Sequence, residues 1–343
     1  MMSSLSTRRP ARPLHSRARQ TCALLCPRPL LWARLELLLV GVSCAFLLTA
    51  GRATAQPAQP AQPAQRTFAS AKAAADALVS AAETYDVPAL KEILGPDGFD
   101  LLAAEDPVQD PAQAKAWAAR AREKLRIVSD PKRPKSVTLN VGLDAWPSPI
   151  PVVNERGKFR FDIAAGRQEL LYRRIGQNEL DAIEVCRGYV EAQHEYASMK
   201  HSGARVHEYA QRIISTPGKQ DGLAWRNADG TWGGPVGEAI ARIIAEGQRD
   251  KYQPYHGYHF KILKGQGPSA PLGQLDFVVQ GAMIGGFALV AAPADYETTG
   301  VKTFIVSHDG VVYEKDLGPE TLAQFRALER FDPDKSWSPV KDR

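Results

Sequence analysis

Chemistry needs titratable groups brought within a few ångströms of one another, so short spacings of His, Cys, Asp and Glu come first. Glu191-Ala192-Gln193-His194 has the Glu-x-x-His spacing of di-iron bundles, which puts both side chains on one helix face. Such sites need a second copy and two further glutamates. The chain holds one copy, so a solvated face is expected. The tetrapeptide His-Glu-Tyr-Ala occurs at 194–197 and again at 207–210. Ser198 and Gln211 stand where the second histidine of a His-Glu-x-x-His zinc site belongs, and that reading fails. His256 and His259 lie three apart on an expected strand, whose two-residue period sends them to opposite faces. Pro217-Gly218-Lys219 lacks the earlier glycine and the following hydroxyl of a phosphate loop, since Ile213 and Gln220 stand there. The glycines at 281, 285 and 286 do not form a dinucleotide fingerprint, and no Gly-x-Ser-x-Gly elbow occurs.

Two polar clusters remain. Arg173, Arg174 and Glu179 offer guanidinium groups that pair bidentately with carboxylate or phosphate, or else simply salt-bridge a helix to a sheet. Lys219, Asp221 and Trp225 offer a polar cleft with an aromatic wall, or else a turn at Asp221-Gly222. His256 and Tyr258 complete the set of ligand or interface candidates. Cys186 shares a helical stripe with Leu180, Ile183 and Val190, which reads as a buried core thiol. No catalytic residue, metal or cofactor is assigned.

The elements that must position these residues read as α+β. Ser70 caps an Ala-rich helix to about Thr84; Pro88 and Gly95 bracket a second; Pro111 opens a third running to about Val128. Strands are expected at Ser136–Gly142, Ile150–Val153 and Lys158–Ile163, with a turn at Asn154–Gly157. Helices followed by a small antiparallel sheet give an NTF2-like analogy. A helical middle follows, with helices at Glu179–Ala197, Tyr209–Ile214 and Pro235–Ala245. Five short strands come next, at Tyr258–Leu263, Asp276–Val279, Gly286–Ala291, Val301–Ser307 and Val311–Lys315. His308-Asp309-Gly310 makes a hairpin turn, and Pro319–Leu328 is a last helix.

The 343 residues carry a formal charge of +5, with 44% apolar and 24% charged residues, which are ordinary globular values. Residues 1–55 hold eight arginines and one acid; without them 35 basic and 37 acidic residues remain, a net charge near −2. A basic nucleic-acid-binding body is therefore excluded as an expectation. The arginine-rich start, the apolar run Leu37–Ala50 and Ala53-Thr54-Ala55 read as an export signal cleaved before Gln56. Contact with a membrane is expected only through this segment, were it to stay uncleaved. Three of the four cysteines lie within it, leaving Cys186 without a disulfide partner. The Pro-Ala-Gln repeat from Gln56 is an extended spacer. The expected division is a signal at 1–55, a linker at 56–67, an α+β domain at 68–175, a helical middle at 176–250 and a β-rich domain at 251–343.

Arg173–Leu180, Ser215–Gly222, Tyr255–Tyr258, Met283–Val290 and His308–Gly318 resemble an uncharacterised bacterial exported family, number 2950 in the series of domains of unknown function. That resemblance spans about 68–340 and implies an envelope protein without supplying an activity. Gly257–Phe260, Phe287–Pro293, Gly300–Val306 and Asp309–Tyr313 are similar to the C-terminal sheet of type IV pilins and pseudopilins, whose leader and long apolar helix this chain lacks. Together these readings favour an exported, non-catalytic binding module with an envelope protein or cell-wall component as partner. The alternative is a periplasmic hydrolase-like enzyme whose cleft gathers Lys219, Asp221 and His256.

Overall fold

The computed structural model describes residues 64–101, 109–201, 203–237 and 254–341. The expected signal, most of the linker and the helix expected at 235–245 beyond residue 237 lie outside the described residues. Helix α1 (Ala71–Thr84) starts where Ser70 Oγ accepts from Ala73 N–H, and ends at Tyr85 in the left-handed conformation. Asp86 caps α2 (Val87–Leu94) with Pro88 in its first turn, and Gly95 at φ 80° ends it. Helix α3 (Gln109–Glu123) stops five residues before the expected Val128. The next residues instead form strand β1 (Leu125–Asp130), paired along its length with β2 (Arg133–Val141) from Leu125↔Val141 to Ser129↔Val137. Ile127 and Val128 are β-branched, and the intervening Pro131 suits a hairpin turn, so sheet pairing overrides the helical pattern here.

Strands β3 (Trp146–Pro147), β4 (Val152–Glu155) and β5 (Lys158–Phe161) complete an antiparallel sheet in the order β1-β2-β4-β5, with β3 on β2. Asn154 Oδ1 accepts from Gly157 N–H, closing the expected turn with Arg156 and Gly157 at positive φ. Leu90, Ile93, Leu94, Leu139, Val152 and Phe161 are buried between the helices and this sheet.

Asp162 caps α4 (Ile163–Ala197), a 35-residue helix. The expected Glu179–Ala197 helix is its second half, and the boundary expected between 175 and 176 falls inside it. Its buried face runs through Ile175, Ala182, Cys186, Tyr189, Gln193 and Tyr196, whereas Leu180 is exposed. The inward stripe is thus rotated from the expected one at Leu180. The expected helix at Tyr209–Ile214 is absent. Its backbone bonds outward instead: Tyr209 N–H donates to Met283 O, Ala210 N–H donates to Gln193 Oε1, and Ile214 bridges Ala224. Those tertiary partners replace the internal helical bonds. A small hairpin of β6 (Trp225–Arg226) and β7 (Trp232–Gly233) follows.

The C-terminal sheet contains β8 (Tyr258–Leu263). After it come short strands β9 (Gly265–Gln266), β10 (Leu275–Asp276), β11 (Val278–Val279) and β12 (Ala282–Met283) in two small ladders. The expected strand at Asp276–Val279 is thereby split in two. Strands β13 (Ala288–Pro293), β14 (Lys302–Ser307), β15 (Val312–Asp316) and β16 (Ser338–Pro339) give the antiparallel order β16-β15-β14-β13-β8. Every residue of β13 is buried, so it reads as a central strand covered on both faces. Helix α5 (Thr321–Ala327) lies against it, and α4 packs on β13 and β14. Tyr189, Phe287, Leu289, Val290 and Phe304 anchor this core. The fold is α+β, with one five-stranded antiparallel sheet on each side of α4 in the chain.

Candidate functional site

Helix α4 separates the sequence candidates into three places. Arg173 Nε donates to Glu169 Oε1 at 2.8 Å and its Nη2 donates to Pro147 O at 2.9 Å, with its guanidinium 5.3 Å from the Trp146 ring centre. It therefore ties α4 to β3. Arg174 is exposed on the same helix. Glu179, less than two turns further on, does not meet either arginine. Its Oε1 accepts from Val301 N–H and Lys302 N–H, both at 3.0 Å, and so caps the start of β14.

Around Glu179 the neighbouring residues form a joint with the C-terminal sheet. Asn178 Nδ2 donates to Thr299 O at 2.8 Å. Asp181 binds His256 Nδ1 and accepts from Gln177 Nε2. Burial pushes the Asp181 carboxyl upward, but these hydrogen bonds outweigh it and hold it below its ordinary value. His256 does not lie on the expected strand. With Gly257 it forms a tight turn in which Tyr255 and Tyr258 exchange backbone hydrogen bonds, both turn residues at positive φ. Tyr258 is fully buried and its hydroxyl donates to Lys302 O at 2.9 Å. Burial, with the Glu179 charge nearby, pushes its phenol far up. Glu179, His256 and Tyr258 thus share one place that none of their spacings indicated, and there their polar atoms hold backbone and helix together.

The third place is a polar cleft of about 840 Å³ near the C-terminal end of α4, bordered by Tyr196, Glu208, Arg212, Lys219, Asp221 and Lys264. Tyr196 comes from the last turn of α4, and its hydroxyl donates to Gln220 O at 2.6 Å. Burial and the charges of Glu208 and Asp221 push its phenol up to about 12. His201, buried, stacks on the Tyr196 ring at 4.0 Å between centres, and Trp225 stands 5.4 Å behind His201. Trp225 is therefore a supporting ring and does not form the cleft wall expected of it. Asp221 accepts from Thr216 N–H at 2.7 Å and Thr216 Oγ1 at 2.8 Å, with Arg212 Nε at 3.8 Å. Burial raises its carboxyl, and these partners more than reverse the rise. Lys219 is exposed at the rim.

The structure joins Lys219 and Asp221 but not His256. His256 is bound at Asp181 and the cleft is bound at Tyr196, fifteen residues along α4. At the rise of an α-helix that is roughly 22 Å, far beyond contact through one water. Among the described residues no group of three His, Cys, Asp or Glu side chains is placed to hold a metal ion, and no helix is long and apolar enough to cross a membrane. His194 packs edge-on against Tyr209 and Phe287, as a ring on an aromatic cluster. His201, Glu208, Arg212 and Lys264 were not indicated by sequence. The repeated His-Glu-Tyr-Ala was the usable signal, since Tyr196 of one copy and Glu208 and Tyr209 of the other border the cleft.

Residues 65–340 match the family described as proteins of unknown function, DUF2950. The chain belongs to that family. No curated protein and no solved structure matched the chain. Three of the five motifs that carry the family resemblance fall at these places: Arg173–Leu180 and Tyr255–Tyr258 build the joint, and Ser215–Gly222 forms one side of the cleft. Neither comparison supports the likeness of the C-terminal sheet to pilins.

Proposed function

We propose that the protein is exported to the periplasm or beyond through a cleaved signal at residues 1–55, and that it works there as a binding module without turnover. The cleft bordered by Tyr196, Glu208, Arg212, Lys219, Asp221 and Lys264 is its candidate ligand site, and an envelope protein or cell-wall component is its partner. One observation carries this reading. Asp221, the carboxylate best placed to act as a base, already accepts two hydrogen bonds from Thr216; His201 at the same cleft is bound to the Tyr196 carbonyl, and His256 is held elsewhere by Asp181. A general base must reach the proton it removes, so the groups left facing the cleft suit recognition better than proton transfer. Lys219, Lys264 and Arg212 against Glu208 and Asp221 present both signs of charge to a polar ligand.

Mild crosslinking in cells, recovery of the protein and sequencing of its N-terminus test this. The expected result is a chain beginning at Gln56 that carries a reproducible partner. Lys219→Glu with Lys264→Glu should lower the yield of that partner about tenfold or more, through lost charge complementarity. Hydrolysis of an envelope substrate by the purified protein, abolished in Asp221→Asn, would overturn the reading in favour of the hydrolase.

A further inference from the structure

The N-terminal sheet has a positively charged end. Ser136 pairs with Val153 and Val137 with Val152, so the β1–β2 turn at 130–133 and the β4–β5 turn at 156–157 lie at the same end of the sheet. Between them is a groove of about 1000 Å³ bordered by Pro134, Lys135, Asn154, Arg156, Lys158 and Arg160. The two turns and their flanks carry Lys132, Arg133, Lys135, Arg156, Lys158 and Arg160 against two acids, Asp130 and Glu155. Both acids are already taken: Arg133 Nε donates to Asp130 at 2.8 Å, and Arg160 grips Glu155 through Nε and Nη2. Lys132, Lys135, Arg156 and Lys158 are exposed, and none forms a close ion pair with a described residue, although the Arg156 charge also helps lower the Glu155 carboxyl. This positive pole stands on a chain whose net charge beyond residue 55 is near −2, so the concentration is local and does not reflect average composition.

Four unpaired cations spread over two neighbouring turns suit several separate anions better than one. Three of them border one open groove of about 1000 Å³, far larger than a single phosphate. Anionic headgroups in a bilayer present such an array, and each lysine or arginine near the surface adds a salt-screened attraction. We propose that this end of the N-terminal sheet docks on the anionic phospholipid headgroups of a membrane. The contact is made by the folded body and is separate from any made by residues 1–55. From the reading above it takes only the envelope location, and the vesicle test does not depend on the cleft.

The test is co-sedimentation of the processed chain beginning at Gln56, which excludes any contribution of residues 1–55, with phosphatidylcholine vesicles, with and without phosphatidylglycerol. Binding is expected to require phosphatidylglycerol and to fall as salt rises. At about fivefold per lysine, Lys135→Ser with Lys158→Ser should lower partitioning about 25-fold. Lys132→Ser with Arg156→Ser, a second pair on the same turns, should lower it similarly. Lys335→Ser with Lys341→Ser, far along the chain, should not. Circular dichroism checks that each variant keeps its fold. Equal binding to both vesicle types would overturn the proposal, as would unchanged binding by both turn variants or an equal loss in the control pair. Capture of soluble polyphosphate without vesicle binding would overturn the assignment to lipid.

Discussion

Cys186 is fully buried, and burial pushes its thiol up to about 12. Thiolate is the reactive form, so the folded chain at pH near 8 should leave Cys186 unalkylated by iodoacetamide, while the urea-unfolded chain is labelled there. Mass analysis of the peptide containing Cys186 distinguishes it from the three cysteines of residues 1–55. The same shift has a stability consequence. The folded thiol keeps its proton while the unfolded one loses it above the ordinary value of 9.0, so stability should fall as pH rises from there towards about 12. Asp181 behaves oppositely. Its carboxyl is held below its ordinary 3.8, so its contribution is present above that value and is lost as pH falls through the lower folded one. Asp181→Asn should accordingly lose less stability than the parent between about pH 5 and pH 2 in urea titrations. The buried thiol was legible in the sequence, because a cysteine on an apolar helical stripe has few alternatives. The Asp181–His256 pair was not, because the two lie 75 positions apart.

At the scale of elements, α4 contains two glycines with open space where a side chain would go. A Cβ built on Gly176 or Gly188 meets nothing within 4 Å. Each Gly→Ala change should stabilise the protein by about 0.5–1 kcal/mol, through helix propensity and a less flexible unfolded chain, read as a raised urea midpoint. Gly300 is the contrary case. A Cβ there would lie 2.2 Å from the Tyr258 hydroxyl, and that ring is fully buried. Gly300→Ala should destabilise by about 1–3 kcal/mol in the same titration, the cost of overpacking a filled core. Caps and turns were the most legible elements. Ser70, Gly95, Asn154 and Asp309-Gly310 act locally, through backbone groups a few residues away. Strand β1 and the segment 209–214 were misread for the converse reason. Their backbone partners lie on other segments: Val137–Val141 across a hairpin in one case, and Gln193 and Met283, far along the chain, in the other.

For the whole molecule, α4 is the connecting member. It meets the N-terminal sheet through Arg173 and the C-terminal sheet through Asn178, Glu179 and Asp181. Glu179→Ala would leave two backbone N–H donors of the chain entering β14 without their acceptor. It should cost about 1.5–3 kcal/mol, as expected for hydrogen bonds to a charged group, measured by equilibrium unfolding. The amino-acid sequence by itself determined the α+β class, most strand positions and the local caps. These follow from periodicity and from contacts within a few residues. Only the tertiary structure decided which polar residues meet. It joined Glu179 to the strand after Val301, moved His256 to Asp181 and left Lys219 with Asp221 in a separate cleft. It also brought two basic turns to one end of a sheet. Apart from Lys219 and Asp221, two positions apart, each of these is a pairing between separate segments of the chain, fixed by how α4 and the two sheets pack, and no local spacing encodes it.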